Sequence, residues 1–306
     1  MNTTFLLTGG AGRVIAAIPA LEKYSRLNPD DDFKVIIHGW ESLYWSHPLL
    51  QSRTYSGNIK GTFDLIIKNS ILKAPEPYYR WSYYNQLKNL SQAFDEEINN
   101  TQDHSDLSKP NLYLHSGEID SAKKMIYEAK KQKNKNKFVV FQPYGSGIRM
   151  TGDRPADVSG RSLDVDDALK LGRLLSQDAV VLYFGPSEFI HPGDNFMLNA
   201  SNVPGADLRF FMAMISQCNY FVGVDSVGQH MARSFNKPGV VIMGSTFEQN
   251  VSYTDHFKVY RNGFLPTYNP IRITGPDCDF ADRSNDNIMM FSNNQIEEIF
   301  NLTKTL

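Results

Sequence analysis

Cysteine is almost absent from this sequence: 306 residues contain only Cys218 and Cys278. Two such residues build neither a disulfide framework nor a metal-ligand cluster, so the chain is expected to fold on its cores alone in a reducing compartment. An excess of charge of one sign is missing too. Lys and Arg number 31 against 33 Asp and Glu, a formal net charge of −2, which removes any bulk electrostatic case for nucleic-acid binding and leaves room only for local basic patches. Long apolar runs are also lacking. No stretch approaches the roughly 20 residues that span a bilayer, and the start, MNTTFLLTGGAGR, has no basic segment before a signal-length apolar run. The expectation is a cytoplasmic protein without a transmembrane segment. No internal repeat is visible. No Asp-x-Asp pair follows a strand-like run either; Asp30-Asp31-Asp32 comes after a helical pattern and Pro29 and reads as a turn. Neither a metal nor a bound cofactor is therefore expected.

What the sequence does have is alternation. Short apolar runs alternate with helical patterns from end to end, the signature of parallel sheets covered by helices. FLLT (5–8) reads as a first strand, and after the glycine loop 9–12 Val14, Ile18, Leu21 and Tyr24 share a helical face that ends at Asn28-Pro29. FKVIIH (33–38), FDLIIK (63–68) and NLYLH (111–115) read as further strands, with an aromatic-rich helical stretch at roughly 78–102. Seven lysines between 123 and 137 suggest a helix end running into a linker. The boundary is placed there, giving an N-terminal domain 1–130 and a C-terminal domain 131–291. The second domain repeats the pattern in FVVFQ (138–142), a helix from Asp164 to Gln177, AVVLYFG (179–185), a helix 207–217, YFVGV (220–224) and GVVIMG (239–244). A last helix, within 292–306, is expected to cross back to the first domain.

The most specific stretch is YFVGVDSVGQHMARSFNKPGVVIMGST, residues 220–246. A buried strand ends at Asp225 and a loop opens a short helix, so the backbone N–H groups of Ser226, Val227 and Gly228 fall at a helix N-terminus, whose partial positive charge favours phosphate oxygens. This stretch resembles the D-[ST]-G-x-x-H-x-A motif, with its following Pro-containing strand and G-x-T, of the family 9, heptosyltransferase-like glycosyltransferases. Asp225, Ser226, His230, Ala232, Pro238, Gly244 and Thr246 match in order, while Val227 stands where the motif has glycine. FQPYGSG (141–147) resembles the family's small-residue loop for the donor phosphates, which points to Gly145, Ser146 and Gly147, with Arg149, Arg154 or Arg161 as phosphate partners. YFGPSE (183–188) resembles the strand and G-x-x-x-E segment whose carboxylate holds a ribose, here Glu188.

The resemblance implies an α/β GT-B fold, two Rossmann-like domains with parallel sheets facing a central cleft, and a metal-independent transfer of a sugar from a nucleotide-diphosphate-sugar donor to an acceptor hydroxyl. GGAGRVIAAIPALEKY (9–24) resembles the family's glycine loop and P-A-L helix, where the family has an aspartate after the glycine that acts as the base on the acceptor hydroxyl. Arg13 stands there. A guanidinium takes no proton at neutral pH, so the base is sought among His38, Glu41, His115 and Glu118 on strand-end loops, and Gly10, Gly12, Arg13 and Trp40 are read as acceptor-binding. The aromatic group Tyr78, Tyr79, Trp81, Tyr83 and Tyr84, with Trp40, Tyr44 and Trp45, suits either core or sugar stacking. Three other readings stay open. One is a non-catalytic nucleotide-binding relative of the fold that has lost its base. Another is the same transferase acting on a DNA or protein acceptor. The third is a short-chain dehydrogenase or epimerase, suggested by LLTGGAGRVI and Tyr84-x-x-x-Lys88 but opposed by Ile15 at the third glycine position and by His38-Gly39 where a ribose-binding acid belongs.

Overall fold

The computed structural model describes residues 2–152, 154–157, 159–189, 195–262 and 288–306. It separates into two compact units, Met1–His115 and Ser116–Leu306. Cys278 and the side chain of Arg154 lie outside the described residues.

The first unit contains β1 (Thr3–Leu7), α1 (Ala11–Leu27), β2 (Lys34–Ile37), β3 (Thr54–Ser56), β4 (Ile71–Lys73), α2 (Trp81–Tyr84) and α3 (Leu90–Asn99). Its sheet is parallel throughout, in the order β3-β2-β1-β4. Helix α1 forms because Val14, Ile15, Ile18 and Leu21 recur at helical spacing; all four are buried, and the helix packs on α3. Each such side chain contributes about 1.5–3 kcal/mol on leaving water. A buried polar knot fastens α1 to α3. Lys23 Nζ lies 3.1 Å from Asp95 Oδ2 and 2.7 Å from Asp106 Oδ1, and His104 Nδ1 lies 2.7 Å from the same Asp95 oxygen. Asp95 is fully buried, which is tolerable only because its oxygens are partnered.

Two expected strands are absent. Residues 63–67 form one wide helical turn, closed by Lys68 N–H on the Phe63 carbonyl at 2.8 Å. An apolar run this short does not discriminate strand from helix. Gly61, at φ +92°, and the Thr62 N–H on the Ile59 carbonyl turn the chain before the run can extend. Residues 111–115 form no strand. The sheet takes its outer strands instead from β3 and β4, three residues each, too short to show a period.

The second unit contains α4 (Ser116–Lys133), β5 (Lys137–Gln142), β6 (Ile148–Thr151), β7 (Arg154–Asp157), α5 (Val165–Asp178), β8 (Ala179–Tyr183), β9 (Met197–Asn199), α6 (Leu208–Gln217), β10 (Tyr220–Val224), α7 (Val227–Ser234), β11 (Gly239–Met243), α8 (Glu248–Val251), β12 (Lys258–Arg261) and α9 (Asn293–Thr303). Six strands form one parallel sheet in the order β12-β11-β10-β5-β8-β9. Counted from β5, that is the doubly wound order 3-2-1-4-5-6. An antiparallel pair, β6 and β7, projects from the connection after β5.

The boundary and the last helix differ from expectation. The lysine-rich stretch is no linker: it is mostly α4, which packs on α6 in the second unit. Two of its lysines are committed there, with Lys130 Nζ 2.9 Å from Asn219 Oδ1 and Lys133 Nζ 3.0 Å from the Asn195 carbonyl. Lysines on a polar helix end look like a linker only because their hydrogen-bond partners are distant in sequence. Helix α9, started by a Ser292–Gln295 capping box, lies against α5 and buries Ile296, Ile299 and Phe300 in the core of the second unit. It completes that unit's own core.

Candidate functional site

In a doubly wound sheet the strand order reverses between the first and fourth strands, and the connections leaving their carboxyl ends diverge to opposite faces and open a crevice. Here those strands are β5 and β10. The loop after β5 carries Gly145, Ser146 and Gly147; the loop after β10 carries Asp225 and opens α7. Both sequence-predicted donor segments therefore come together at the switch point of one unit.

Gln142, the last residue of β5, links them. Its Nε2 donates to Ser226 Oγ at 3.1 Å, and its Oε1 accepts from Gly228 N–H at 3.0 Å. The first-turn N–H groups of a helix find no carbonyl within it. The side-chain oxygen of Gln142 satisfies one of them, and Ser226 and Val227 lie beside it. Gly228 allows this approach, because a Cβ there would stand 2.3 Å from Gln142 Oε1. Val227 at the motif's glycine position thus leaves the necessary glycine one residue later. Asp225 is buried and does not face the crevice as a free carboxylate: Oδ1 accepts from Gln229 Nε2 and Oδ2 from Thr246 Oγ1, each at 2.8 Å. It ties the α7 loop to the end of β11. His230 is buried in the same first turns, with Nδ1 2.9 Å from the Tyr253 hydroxyl. Burial pulls its imidazole down to about 4, against a partial upward pull from Asp225. It is neutral at physiological pH.

The loop after β5 is held from within. Ser162 Oγ accepts from Gly145 N–H at 2.9 Å and donates to Asp157 Oδ2, and Asp157 Oδ1 accepts from both Ser159 N–H and Ser159 Oγ. A Cβ on Gly147 would stand 2.4 Å from Asp157 Oδ1, so the loop closes only on glycine there. Gly145 has ordinary room for a side chain. Arg149 turns to its own loop, donating to the Ser146 and Ile148 carbonyls at 2.7 Å, and Arg161 Nε reaches Ser159 Oγ at 3.1 Å. Glu188 sits exposed in a single helical turn after β8. A cavity of about 850 Å³ elsewhere in this unit, lined by Met125, Ala129, Leu182, Met197 and Met214 among others, contains none of the switch-point loops.

In the first unit, Gly10 and Gly12 open α1, and Trp40 Nε1 donates to the Gly9 carbonyl at 3.0 Å, fixing the glycine loop to the end of β2. Arg13 is not presented to a ligand. It is 5 % exposed, donates to the Pro75 carbonyl at 2.8 Å and to Glu76 Oε2 at 3.0 Å, and lies over the rings of Tyr78 and Phe94. The expected acceptor anchor is an internal one, because Glu76, at the carboxyl end of β4, supplies a carboxylate that sequence spacing could not bring to it.

Among the base candidates, Glu118 is taken: it pairs through both oxygens with Arg209 and fastens α4 to α6. Glu41 is raised by burial, yet hydrogen bonds from Ser56 and from backbone N–H groups, with His38 nearby, outweigh this and hold its carboxyl below the ordinary range. Such a carboxylate is a weak proton acceptor at neutral pH. His38 lies flat against Gly57, where a Cβ would be 2.1 Å from its ring, with Nδ1 3.4 Å from Asn58 Oδ1. His115 is exposed at the end of the unit. Of the aromatic group, Tyr44 and Tyr83 are core, with Tyr44 Oη donating to the Val14 carbonyl, while Trp45, Tyr79, Trp81 and Tyr84 are exposed. The residues missed by sequence reasoning are Gln142, Asp157, Tyr253 and Glu76. Only Gln142 carried a signal, as a polar residue ending a buried strand.

No family sequence model matches this chain, and no curated protein matches it in sequence. Solved structures do match. A family 9 glycosyl transferase from Veillonella parvula superposes with a TM-score of 0.71 at 11% identity, over 99% of this chain and 97% of that one. The E. coli ADP-heptose LPS heptosyltransferase II gives 0.61 at 12% identity, over 99% of both chains. The fold is that of the family 9 glycosyltransferases. It is the GT-B architecture expected from the motif. The glycosyltransferase TibC of enterotoxigenic E. coli, described as dodecameric and iron-containing, gives 0.64 at 11% identity over 99% of this chain and 76% of that one. No helix among the described residues is long and apolar enough to cross a membrane. No group of three or more His, Cys, Asp or Glu among the described residues is placed to hold a metal ion.

Proposed function

We propose that the chain is a glycosyltransferase whose second unit binds a nucleoside-diphosphate sugar at the β5–β10 switch point and whose first unit binds the acceptor. One observation carries this reading. The motif residues Asp225, Ser226 and His230 and the glycine loop 145–147 come together where a doubly wound sheet opens its ligand crevice, on a fold shared with enzymes named for ADP-heptose. The α7 N–H groups and the His230 imidazole stabilise the leaving diphosphate without a net charge of their own.

The proton acceptor is assigned to His38 at the end of β2. Glu118 is held in an ion pair, Glu41 is held ionised by its donors, and His115 follows no strand, which leaves His38 at a strand's carboxyl end. The transfer is read as independent of a divalent metal, because no acidic pair follows a strand among the described residues, and turnover in EDTA should equal turnover with magnesium.

Calorimetry with ADP, UDP, GDP and CDP on the wild type and on Ser226→Phe tests the reading. One nucleotide is expected to bind, and to bind at least tenfold more weakly to the variant. If none binds, or the substitution leaves affinity unchanged, the donor assignment is wrong.

A further inference from the structure

Tyr253 lies between α8 and β12, and its hydroxyl is 2.9 Å from His230 Nδ1, with the two rings edge-on at 86° and 5.6 Å between centroids. A neutral imidazole carries one N–H and one lone pair, and the hydrogen bond at one nitrogen decides which sits on the other. Two arrangements fit the distance. In one, Tyr253 O–H donates to the Nδ1 lone pair and the ring proton is on Nε2. In the other, Nδ1–H donates to the phenol oxygen and Nε2 is bare.

The surroundings favour the first. A phenol O–H is a stronger donor than a neutral imidazole N–H, and an imidazole nitrogen is a stronger acceptor than a phenol oxygen. The first arrangement also uses the hydroxyl proton, which in the second would have no acceptor among the described residues. Burial raises the Tyr253 hydroxyl above its ordinary range, so it keeps that proton, and the imidazole it faces is uncharged. Nε2 has no partner among the described residues. A bare lone pair there would repel a phosphate oxygen; an N–H would donate to it, alongside the N–H groups of the α7 first turn.

We propose that Tyr253 is a positioning residue that locks His230 in the Nε2–H tautomer, making the buried imidazole an uncharged hydrogen-bond donor to a diphosphate oxygen of the donor. This rests on the donor-site reading above. It gives the site a donor whose strength does not vary with pH near neutrality, because the ring does not titrate there.

The test uses the full chain and two readouts. Two-bond ¹⁵N–¹H correlation spectra of the unliganded protein, with His230 assigned by its loss in His230→Gln, should show Nε2 protonated and Nδ1 bare. In Tyr253→Phe, which removes a single oxygen atom, that preference should be lost. For the nucleoside diphosphate that binds the wild type, calorimetry should show Kd raised about two- to tenfold in Tyr253→Phe, the worth of one oriented hydrogen bond. A wild-type spectrum with the proton on Nδ1 overturns the proposal, and so does an unchanged Kd in the variant. If no nucleoside diphosphate binds the wild type, the donor reading and the ligand half of the proposal both fail, while the spectrum still decides the tautomer.

Discussion

Arg13 Nη2 stands 3.0 Å from Glu76 Oε2 at the carboxyl ends of adjacent strands β1 and β4. The guanidinium is buried beneath Tyr78 and Phe94, whereas the Glu76 side chain is 35 % exposed. This places Arg13 in the folding of the first unit. Arg13→Ala should lower stability by about 1.5–3 kcal/mol, the range for hydrogen bonds to charged groups. Arg13→Lys should recover only part of that, since both hydrogen bonds leave the one nitrogen Nη2 and a compact ammonium lacks the planar guanidinium that lies over Tyr78 and Phe94. Urea denaturation of both variants and of the reversed pair Arg13→Glu/Glu76→Arg checks this. A fully stable Arg13→Ala would mean that the pair contributes nothing.

Gly147 supplies a second expectation. Any side chain there meets Asp157 Oδ1, the acceptor for Ser159, and disturbs a carboxylate that also holds Ser162. Ser162 in turn fixes the Gly145 N–H. Gly147→Ala should therefore weaken nucleotide binding about tenfold or more, about 1.4 kcal/mol or above, whereas Gly145→Ala, whose Cβ would meet its neighbours at 3.7 Å or more, should change it far less. Equal effects at the two glycines would separate the Asp157 network from ligand binding.

The second unit was legible in the sequence because its central strands are runs of five buried residues, as in β5, β10 and β11, and because its helices announce themselves with caps such as Asp164 and Asp207. The motif placed Asp225, Ser226 and His230 at the correct strand end for the same reason. The first unit was harder to read. Its outer strands are three residues long, and its apolar run at residues 63–67 leaves Phe63 and Leu65 exposed in a helical turn. The partners that decide the role of a polar side chain lie far along the chain. Arg13 meets Glu76, Glu118 meets Arg209, and Gln142 meets Gly228. No local pattern reveals such pairs, so spacing made Arg13 and Glu118 look available when they are committed.

His38 is the group on which the proposed proton transfer depends. General-base assistance contributes typically 10²–10⁴-fold, so His38→Asn should lower kcat for hydrolysis of the donor sugar nucleotide by at least about a hundredfold while leaving nucleotide affinity intact. Glu41→Gln should cost less, since that carboxylate is already held ionised by its hydrogen bonds. An undiminished rate in His38→Asn removes His38 as the base.

The neutral, buried state of His230 makes stability depend on pH in a defined window. In the unfolded chain its imidazole titrates at its ordinary value of 6.5, and in the folded chain burial holds it down at about 4. Between those two values the unfolded state binds a proton that the folded state refuses. Stability is therefore fully present above about pH 6.5 and declines as the pH falls toward 4, by at most about 1.4 kcal/mol per unit. Over the interval from 6.5 to 5 the loss should be roughly 2 kcal/mol. The carboxylates held below their ordinary range, Glu22, Asp31 and Glu41 among them, act in the same direction but only at lower pH, because their unfolded values are 3.8 to 4.5. Comparison of the wild type with His230→Gln isolates the effect from every other titrating group common to both. Urea midpoints measured from pH 7.5 to pH 5 should fall more steeply in the wild type, so that the difference between the two proteins narrows as the solution is acidified. Parallel curves would show that the folded and unfolded chains protonate His230 alike, so that the ring is charged in the folded protein below about 6.5, and a charged imidazole would need neither Tyr253 nor a fixed tautomer to bind a phosphate.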